Sequence, residues 1–291
     1  MKYTCLHTHT AFCDGHDSIE AFCRAARDKG FWAIGFSAHA PLRRKTGFHS
    51  DWHLKEERLA AYLDEVREAR RRWEGVLKVF LGLEVDYIHG LMGPADRDVQ
   101  ELGLDYLIGS VHYLIPPKGK PFTADDSAAA FAKGLAEGFG NDGEALCAAY
   151  WDAVEAMIRA GGFDILGHAD LIKKNNPQDR LFSRERESYQ RRTEGIAGLL
   201  AGSAIIAEVN TGGMIRYSIP EPYPSPAMLG QLKARGVPVI VTADAHRAEH
   251  LGGHYEAACN ILLHAGYTCQ QVLVDKGCWR EDPLRPLRGI Q

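Results

Sequence analysis

Seven short apolar runs rich in Val, Ile, Leu and aromatic residues punctuate the chain, at Tyr3–Leu6, Trp32–Phe36, Val76–Val85, Tyr106–Ile108, Phe163–Leu166, Ala204–Val209 and Val237–Val241. Each has the length and residue types of a buried strand. Between them lie stretches of helical period. In Ser18–Lys29, Ile19, Phe22 and Ala26 share one face and Gly30 is placed to stop the helix. Leu54–Trp73 sets Leu59, Tyr62, Leu63, Val66 and Trp73 along one side and crowds Glu and Arg on the other, as a solvated face does. Asp126–Phe139, Glu144–Ala160, Arg184–Leu200, Pro226–Ala234 and His254–Ala265 continue the series. This β-α alternation predicts a parallel sheet covered by helices. For 291 residues a closed β/α barrel, which typically takes about 250, fits better than two smaller domains, with an open doubly wound sheet as the alternative. No composition shift or low-complexity linker divides the chain, so one domain over 1–291 is expected. Pro116–Pro121 reads as a loop and Arg280–Gln291 as a tail or edge extension.

In a β/α barrel the C-terminal ends of the strands converge on one rim, so residues far apart in sequence become neighbours there. The ends predicted here carry His7-Thr8-His9, Ser37-Ala38-His39, Glu84, Ser110-Val111-His112, Gly167-His168-Ala169-Asp170, Glu208-Val209-Asn210 and Asp244-Ala245-His246. On an extended strand residues i and i+2 project to the same side, so His7 and His9 can bind one ion together, and Asp244 and His246 share that spacing. Imidazole and carboxylate repeated at strand ends make a metal site. His16 competes with Asp14 as a ligand in the loop after the first strand. His49, His53, His89 and His264 fall in loops or helices and read as surface residues. His246, His250 and His254 are spaced by four, but Gly252-Gly253 interrupts that helix, so His250 and His254 read as surface or rim residues.

The charge balance of 34 Lys+Arg against 38 Asp+Glu argues against a dedicated nucleic-acid binder. No apolar run is long enough to span a bilayer, and the first residues lack the apolar stretch of a signal peptide, so a cytoplasmic protein is expected. The 7 cysteines are scattered without a CxxC pair, which makes a disulfide framework or a thiolate zinc site an unfavoured reading.

In order, HTHTAFCDG, FSAHAPL, GLEVDY, GSVHY, GHADLIKK, EVNTGG and TADAH resemble the motifs of the polymerase-and-histidinol-phosphatase (PHP) superfamily, and within it the branch that hydrolyses L-histidinol phosphate to histidinol and phosphate. The resemblance runs from residue 3 to about residue 250. It implies a distorted TIM-like barrel of seven β/α units with three divalent ions, Zn, Mn or Fe, at the C-terminal rim. By motif, one ion takes His7, His9, Glu84 and Asp244, a second takes Glu84, His112 and His168, and a third takes Asp14, His39 and His246. Glu84 bridges the first two, and Glu84, Asp244 and His246 are the residues implied in catalysis. The third position after the first strand is often His in relatives, whereas DGH offers both Asp14 and His16.

An arginine at the place of Arg216, just after EVNTGG, contacts phosphate in the family, so the resemblance implies Arg216 as the phosphate ligand, with Lys173 the second candidate; Asn210 either orients substrate or makes a structural hydrogen bond at its strand end. The expected partner is a small phosphate ester, with neither nucleic acid nor membrane involved. Two other readings stand beside this one: a related phosphoesterase acting on nucleotides or phosphodiesters, and a metal-dependent amidohydrolase. Glu84 together with a terminal Asp-x-His disfavours the second, because amidohydrolases typically end on a lone Asp and often use a mid-barrel lysine.

Overall fold

The computed structural model describes residues 2–43 and 46–284. Its strands are β1 Thr4–Cys5, β2 Ala33–Phe36, β3 Lys78–Asp86, β4 Tyr106–Ser110, β5 Tyr113–Leu114, β6 Phe122–Thr123, β7 Ile165–Leu166, β8 Ile206–Asn210, β9 Val239–Thr242, β10 Cys269–Asp275 and β11 Cys278–Pro283. The helices are α1 Ile19–Asp28, α2 Leu59–Arg72, α3 Arg97–Gln100, α4 Ala128–Phe139, α5 Gly143–Ala160, α6 Glu187–Ala201, α7 Gly212–Tyr217, α8 Pro226–Ala234 and α9 Tyr255–His264. All seven expected strands are present. They form one parallel sheet in the order β1-β2-β3-β4-β7-β8-β9.

The sheet comes round on itself just beyond the ends of β1 and β9. There His9 N donates to Ala245 O at 2.9 Å and Ala245 N to His7 O at 3.1 Å, about a parallel bridge between Thr8 and Ala245. The result is the distorted seven-stranded barrel expected. Closure therefore rests on the same residues that carry the first and last metal-ligand motifs.

Two apolar layers hold the barrel. The outer one lies between sheet and helices, where the inward faces of α1 (Ile19, Phe22, Ala26) and α2 (Tyr62, Leu63, Val66) pack. The inner one fills the barrel with Leu6, Phe80, Tyr106, Ile165, Ile206 and Ile240. Tyr106 is its plug, and its hydroxyl donates to Leu6 O. Gly35 and Gly82 make room for that ring, since a Cβ on either would lie 2.5 Å from a Tyr106 side-chain atom. The plug leaves the C-terminal end of the barrel to polar side chains.

Of the two readings of the chain's end, the structure favours the edge extension over the tail for its first part: Arg280 to Pro283 belong to β11, which pairs antiparallel with β10. Val272 and Leu273 of this hairpin are buried, and Lys78 Nζ, at the start of β3, donates to Val274 O at 2.7 Å. The hairpin thus covers the N-terminal end of the barrel. Most of β11 is exposed and polar, so it has no apolar alternation to announce it. Residues 285–291 of the expected tail lie outside the described residues. Pro116–Pro121 connects β5 to β6, as a loop should. No helix among the described residues is long and apolar enough to cross a membrane.

Candidate metal centre

Glu84 stands in the middle of the rim, 1% exposed, with imidazoles on all sides. Its Oε2 lies 3.2 Å from His7 Nε2, 3.5 Å from His9 Nε2 and 2.9 Å from His39 Nδ1. Its Oε1 lies 3.0 Å from His168 Nε2 and 3.6 Å from His112 Nε2, and accepts from Ser110 Oγ at 2.6 Å. Each oxygen thus serves a different set of histidines. Asp244 Oδ1 closes the first set, 3.7 Å from His7 Nε2 and 3.3 Å from His9 Nε2. At the outer edge Asp14 Oδ2 is 3.0 Å from His246 Nε2, and Asp14 Oδ1 is 3.8 Å from His39 Nε2.

All nine expected ligands are therefore brought together. His9, Asp14, His39 and His246 can present ligand atoms within 4.8 Å of one another, as can His7, Glu84 and His168, then His7, His9 and Asp244, and, with Asp86 rather than Glu84, His39 and His112. Between Asp14 and His16, geometry favours Asp14, because His16 lines the cavity but belongs to none of these groups.

Buried polar groups are almost always hydrogen-bonded. Here His7 Nε2, His9 Nε2, Asp14 Oδ1 and Glu84 Oε2 are buried without such a bond. Lone pairs converging on one another in a dry site are costly, and a divalent cation between them removes the cost. The residues present fit a multinuclear site with N and O donors and no thiolate.

The charges agree with that. Burial works to raise the Glu84 carboxyl, but His7, His39 and His112 outweigh it and hold it well below the ordinary carboxylate range. Asp244 behaves likewise, with Arg216 and then His7 overcoming burial. Burial, with His39 and His246 alongside, takes His9 down to about 3, so it stays neutral and keeps a lone pair for a metal.

Behind the ligands stand two carboxylates, Glu208 and Asp86, that are not among the expected ligands. Glu208 Oε1 accepts from His7 Nδ1 at 2.6 Å, which fixes the tautomer that leaves Nε2 bare, while its other oxygen accepts from His168 N at 2.7 Å. Asp86 Oδ1 does the same for His112 Nδ1 at 2.9 Å. His53 Nε2 meets the other Asp86 oxygen at 2.8 Å. The surface reading of His53 is thus corrected: it is 3% exposed, held against Asp86 with Trp52 over its ring. His49, His89, His254 and His264 are exposed, and His250 is half-buried.

The three expected substrate residues part ways. Arg216 lines a cavity of about 360 Å³ over the cluster, its Nη2 2.9 Å from Asp244 Oδ2. Lys173 does not face the cavity. Its ammonium is buried, 3.0 Å from Asp170 Oδ2, 3.2 Å from Glu221 Oε1 and donating to Pro222 O at 2.7 Å. Its neighbour Lys174 lines the cavity instead, because the 3-10 turn Leu171–Asn175 aims successive side chains in different directions. Asn210 makes the structural bonds of its strand end: it is fully buried, donating to Glu208 Oε2 at 3.0 Å and accepting from Gly212 N at 2.8 Å. The extended spacing read into Asp244 and His246 is also corrected. β9 ends at Thr242 and Asp244 has φ 47°, a left-handed turn that Asp tolerates and that still delivers both side chains to the cluster.

Compared with known proteins, residues 6–212 match the model of the PHP domain family. A probable histidinol-phosphatase of Deinococcus radiodurans is 28% identical over 264 residues, spanning 89% of this chain and 92% of that protein. Among solved structures, a Listeria monocytogenes protein assigned as a histidinol phosphatase superposes with a TM-score of 0.77 at 22% identity, over 87% of this chain and 99% of the other. The histidinol phosphate phosphatase of Lactococcus lactis, complexed with zinc, L-histidinol and phosphate, gives 0.67 at 18% identity, over 94% and 97%.

Proposed function

The chain belongs to the PHP domain family, and from that premise we propose that it is a histidinol-phosphatase, hydrolysing L-histidinol phosphate to L-histidinol and phosphate in histidine biosynthesis. The observation that carries this reading is the convergence of unpaired imidazole and carboxylate lone pairs around Glu84 at the floor of an open cavity. His7, His9, Glu84 and Asp244 would hold one cation, Glu84, His112 and His168 a second, and Asp14, His39 and His246 a third. The donor set suits Zn²⁺, Mn²⁺ or Fe²⁺, and the zinc bound by the Lactococcus lactis protein favours the first. Bound there, divalent ions supply Lewis acidity toward phosphoryl oxygens and ionise water at neutral pH.

The chain's own groups arrange the rest. Glu208 and Asp86 keep His7 and His112 in the tautomer that points Nε2 at Glu84. Asp244 and His246, on the turn after β9, face the cavity beside Arg216, whose fork of donors suits two phosphate oxygens at once. A biosynthetic role goes with a cytoplasmic enzyme whose partner is a small phosphate ester. Phosphate release from L-histidinol phosphate, compared with p-nitrophenyl phosphate, nucleotides and an amide panel, tests the reading. The highest kcat/KM is expected for L-histidinol phosphate; preference for a nucleotide or a generic ester overturns it, and amide cleavage favours the amidohydrolase alternative.

Arg216 provides a sharper test. A charge-assisted hydrogen bond contributes about 1.5–3 kcal/mol, so Arg216→Ala should lower kcat/KM by roughly 10- to 150-fold. Arg216→Lys should recover only part of it. Because Arg216 also pairs with Asp244, metal content is measured alongside. Retained metal with lost turnover, and unchanged inhibition by L-histidinol, is the phosphate-anchor result; wild-type kcat/KM in the alanine variant removes Arg216 from that role.

A further inference from the structure

The short hairpin β5–β6 sends the chain away from the rim and returns it to the same place. Tyr113 pairs with Thr123 and Leu114 with Phe122, and Ala124 N then donates to His112 O at 2.8 Å. Asp125 follows immediately, on the wall of the cavity above the metal centre. Its carboxylate has no hydrogen bond or ion pair among the described residues. Lys174, which lines the same cavity, donates its Nζ to the Asp125 carbonyl rather than the carboxylate and lies 3.9 Å from the centre of the Tyr217 ring. Asp126 is engaged too, its Oδ1 accepting from Ser127 N at the start of α4.

Next to this cavity, sharing Asp125, Asp126, Lys174 and Tyr217 as walls, lies a lobe of about 450 Å³ that Asn175 and Ile219 also line. The inner end of the cavity gathers imidazoles and Arg216, while this outer lobe has two carboxylates against one lysine. Tyr223, 3% exposed, lines the same cavity and its hydroxyl has no hydrogen-bond partner. An unpaired carboxylate and an unpaired phenol on the wall of one cavity mark where polar atoms of a ligand go.

We propose that Asp125 is the specificity-determining residue of this site, pairing with a cationic nitrogen on the alcohol portion of the phosphate ester. The inference rests on the phosphatase reading above and adds the substrate class: phosphomonoesters with an ammonium or imidazolium group a few bonds from the ester oxygen. Phosphate binds at the inner end, the cation at the lobe, and the scissile bond is held between them.

The test compares wild type with Asp125→Asn on L-histidinol phosphate, ethanolamine phosphate and the uncharged esters glycerol phosphate and phenyl phosphate. Asp125→Asn should lower kcat/KM for the amine-bearing esters by about 10- to 150-fold, the range of a charge-assisted hydrogen bond, and leave the uncharged esters within about twofold. Calorimetric titration with L-histidinol, independent of turnover, should show weakened binding, while inhibition by inorganic phosphate stays as in wild type. Equal losses on all four esters would assign Asp125 to supporting His112 and overturn the proposal, as would no loss at all. If the wild-type enzyme prefers ethanolamine phosphate and Asp125→Asn flattens that preference, the histidinol reading falls and this one stands. Wild-type preference for the uncharged esters sinks it.

Discussion

Glu84→Gln is expected to abolish turnover, lowering kcat/KM at least about 10³-fold, well beyond the 10- to 100-fold typical when an outer partner of a ligand is lost. Five imidazoles lie within 3.6 Å of the two Glu84 oxygens. An amide is close in shape, but it replaces an anionic acceptor on one side by an N–H donor. Two cation positions share this carboxylate in the arrangement proposed, so both should empty together. His39→Ala, by contrast, removes a ligand of the outer position alone. Elemental analysis of wild type and the two variants, prepared side by side, reads this out: more than one metal equivalent in wild type, most of it lost in Glu84→Gln, and only the outer ion lost in His39→Ala. Equal loss from both variants would refute the bridging role.

Much of this site is legible in the chain because the barrel converts sequence order into spatial order. Each apolar run ends on the rim, so His7, His9, His39, Glu84, His112, His168, Asp244 and His246 needed only correct strand ends to be gathered. The supporting carboxylates carried a signal that was there to be used. Glu84 and Asp86, Ser110 and His112, and Glu208 and Asn210 are all pairs at i and i+2, so the alternation that places His7 with His9 also turns Asp86, Ser110 and Glu208 inward. What no local pattern reveals is direction inside irregular turns. Lys173 and Lys174 are adjacent in GHADLIKK, and only the 3-10 turn decides that one is buried on Asp170 while the other faces the cavity. His53 sits in a loop and is buried by a partner, Asp86, that is 33 positions distant in sequence. The β10–β11 hairpin hides for a third reason: an edge strand with a solvated face has no apolar period.

Lys173 separates a structural cation from a substrate ligand most cleanly, because the two roles predict opposite results. Its ammonium and the Asp170 carboxylate are both almost wholly buried, and Asp170 Oδ2 also accepts from Ser225 N at 2.8 Å. Glu221, on the far side of Lys173, is shared with Arg184 at 2.6 Å, so one lysine ties the turn after β7 to the segment 221–225 beside Tyr223. Burial of an ion pair is weak evidence of net stabilisation, but removing one partner leaves the other charged and dry, which costs about 3–5 kcal/mol. Lys173→Met keeps the volume of the stem and removes the charge, so the loss it causes is electrostatic. Urea unfolding of the metal-loaded protein should show a drop of that size, with kcat/KM on L-histidinol phosphate near wild type under conditions where the variant is folded. A phosphate ligand would give the reverse: unchanged unfolding and a kcat/KM lowered about tenfold or more. That reverse pattern would return Lys173 to the substrate and require the turn to present it differently from the geometry described.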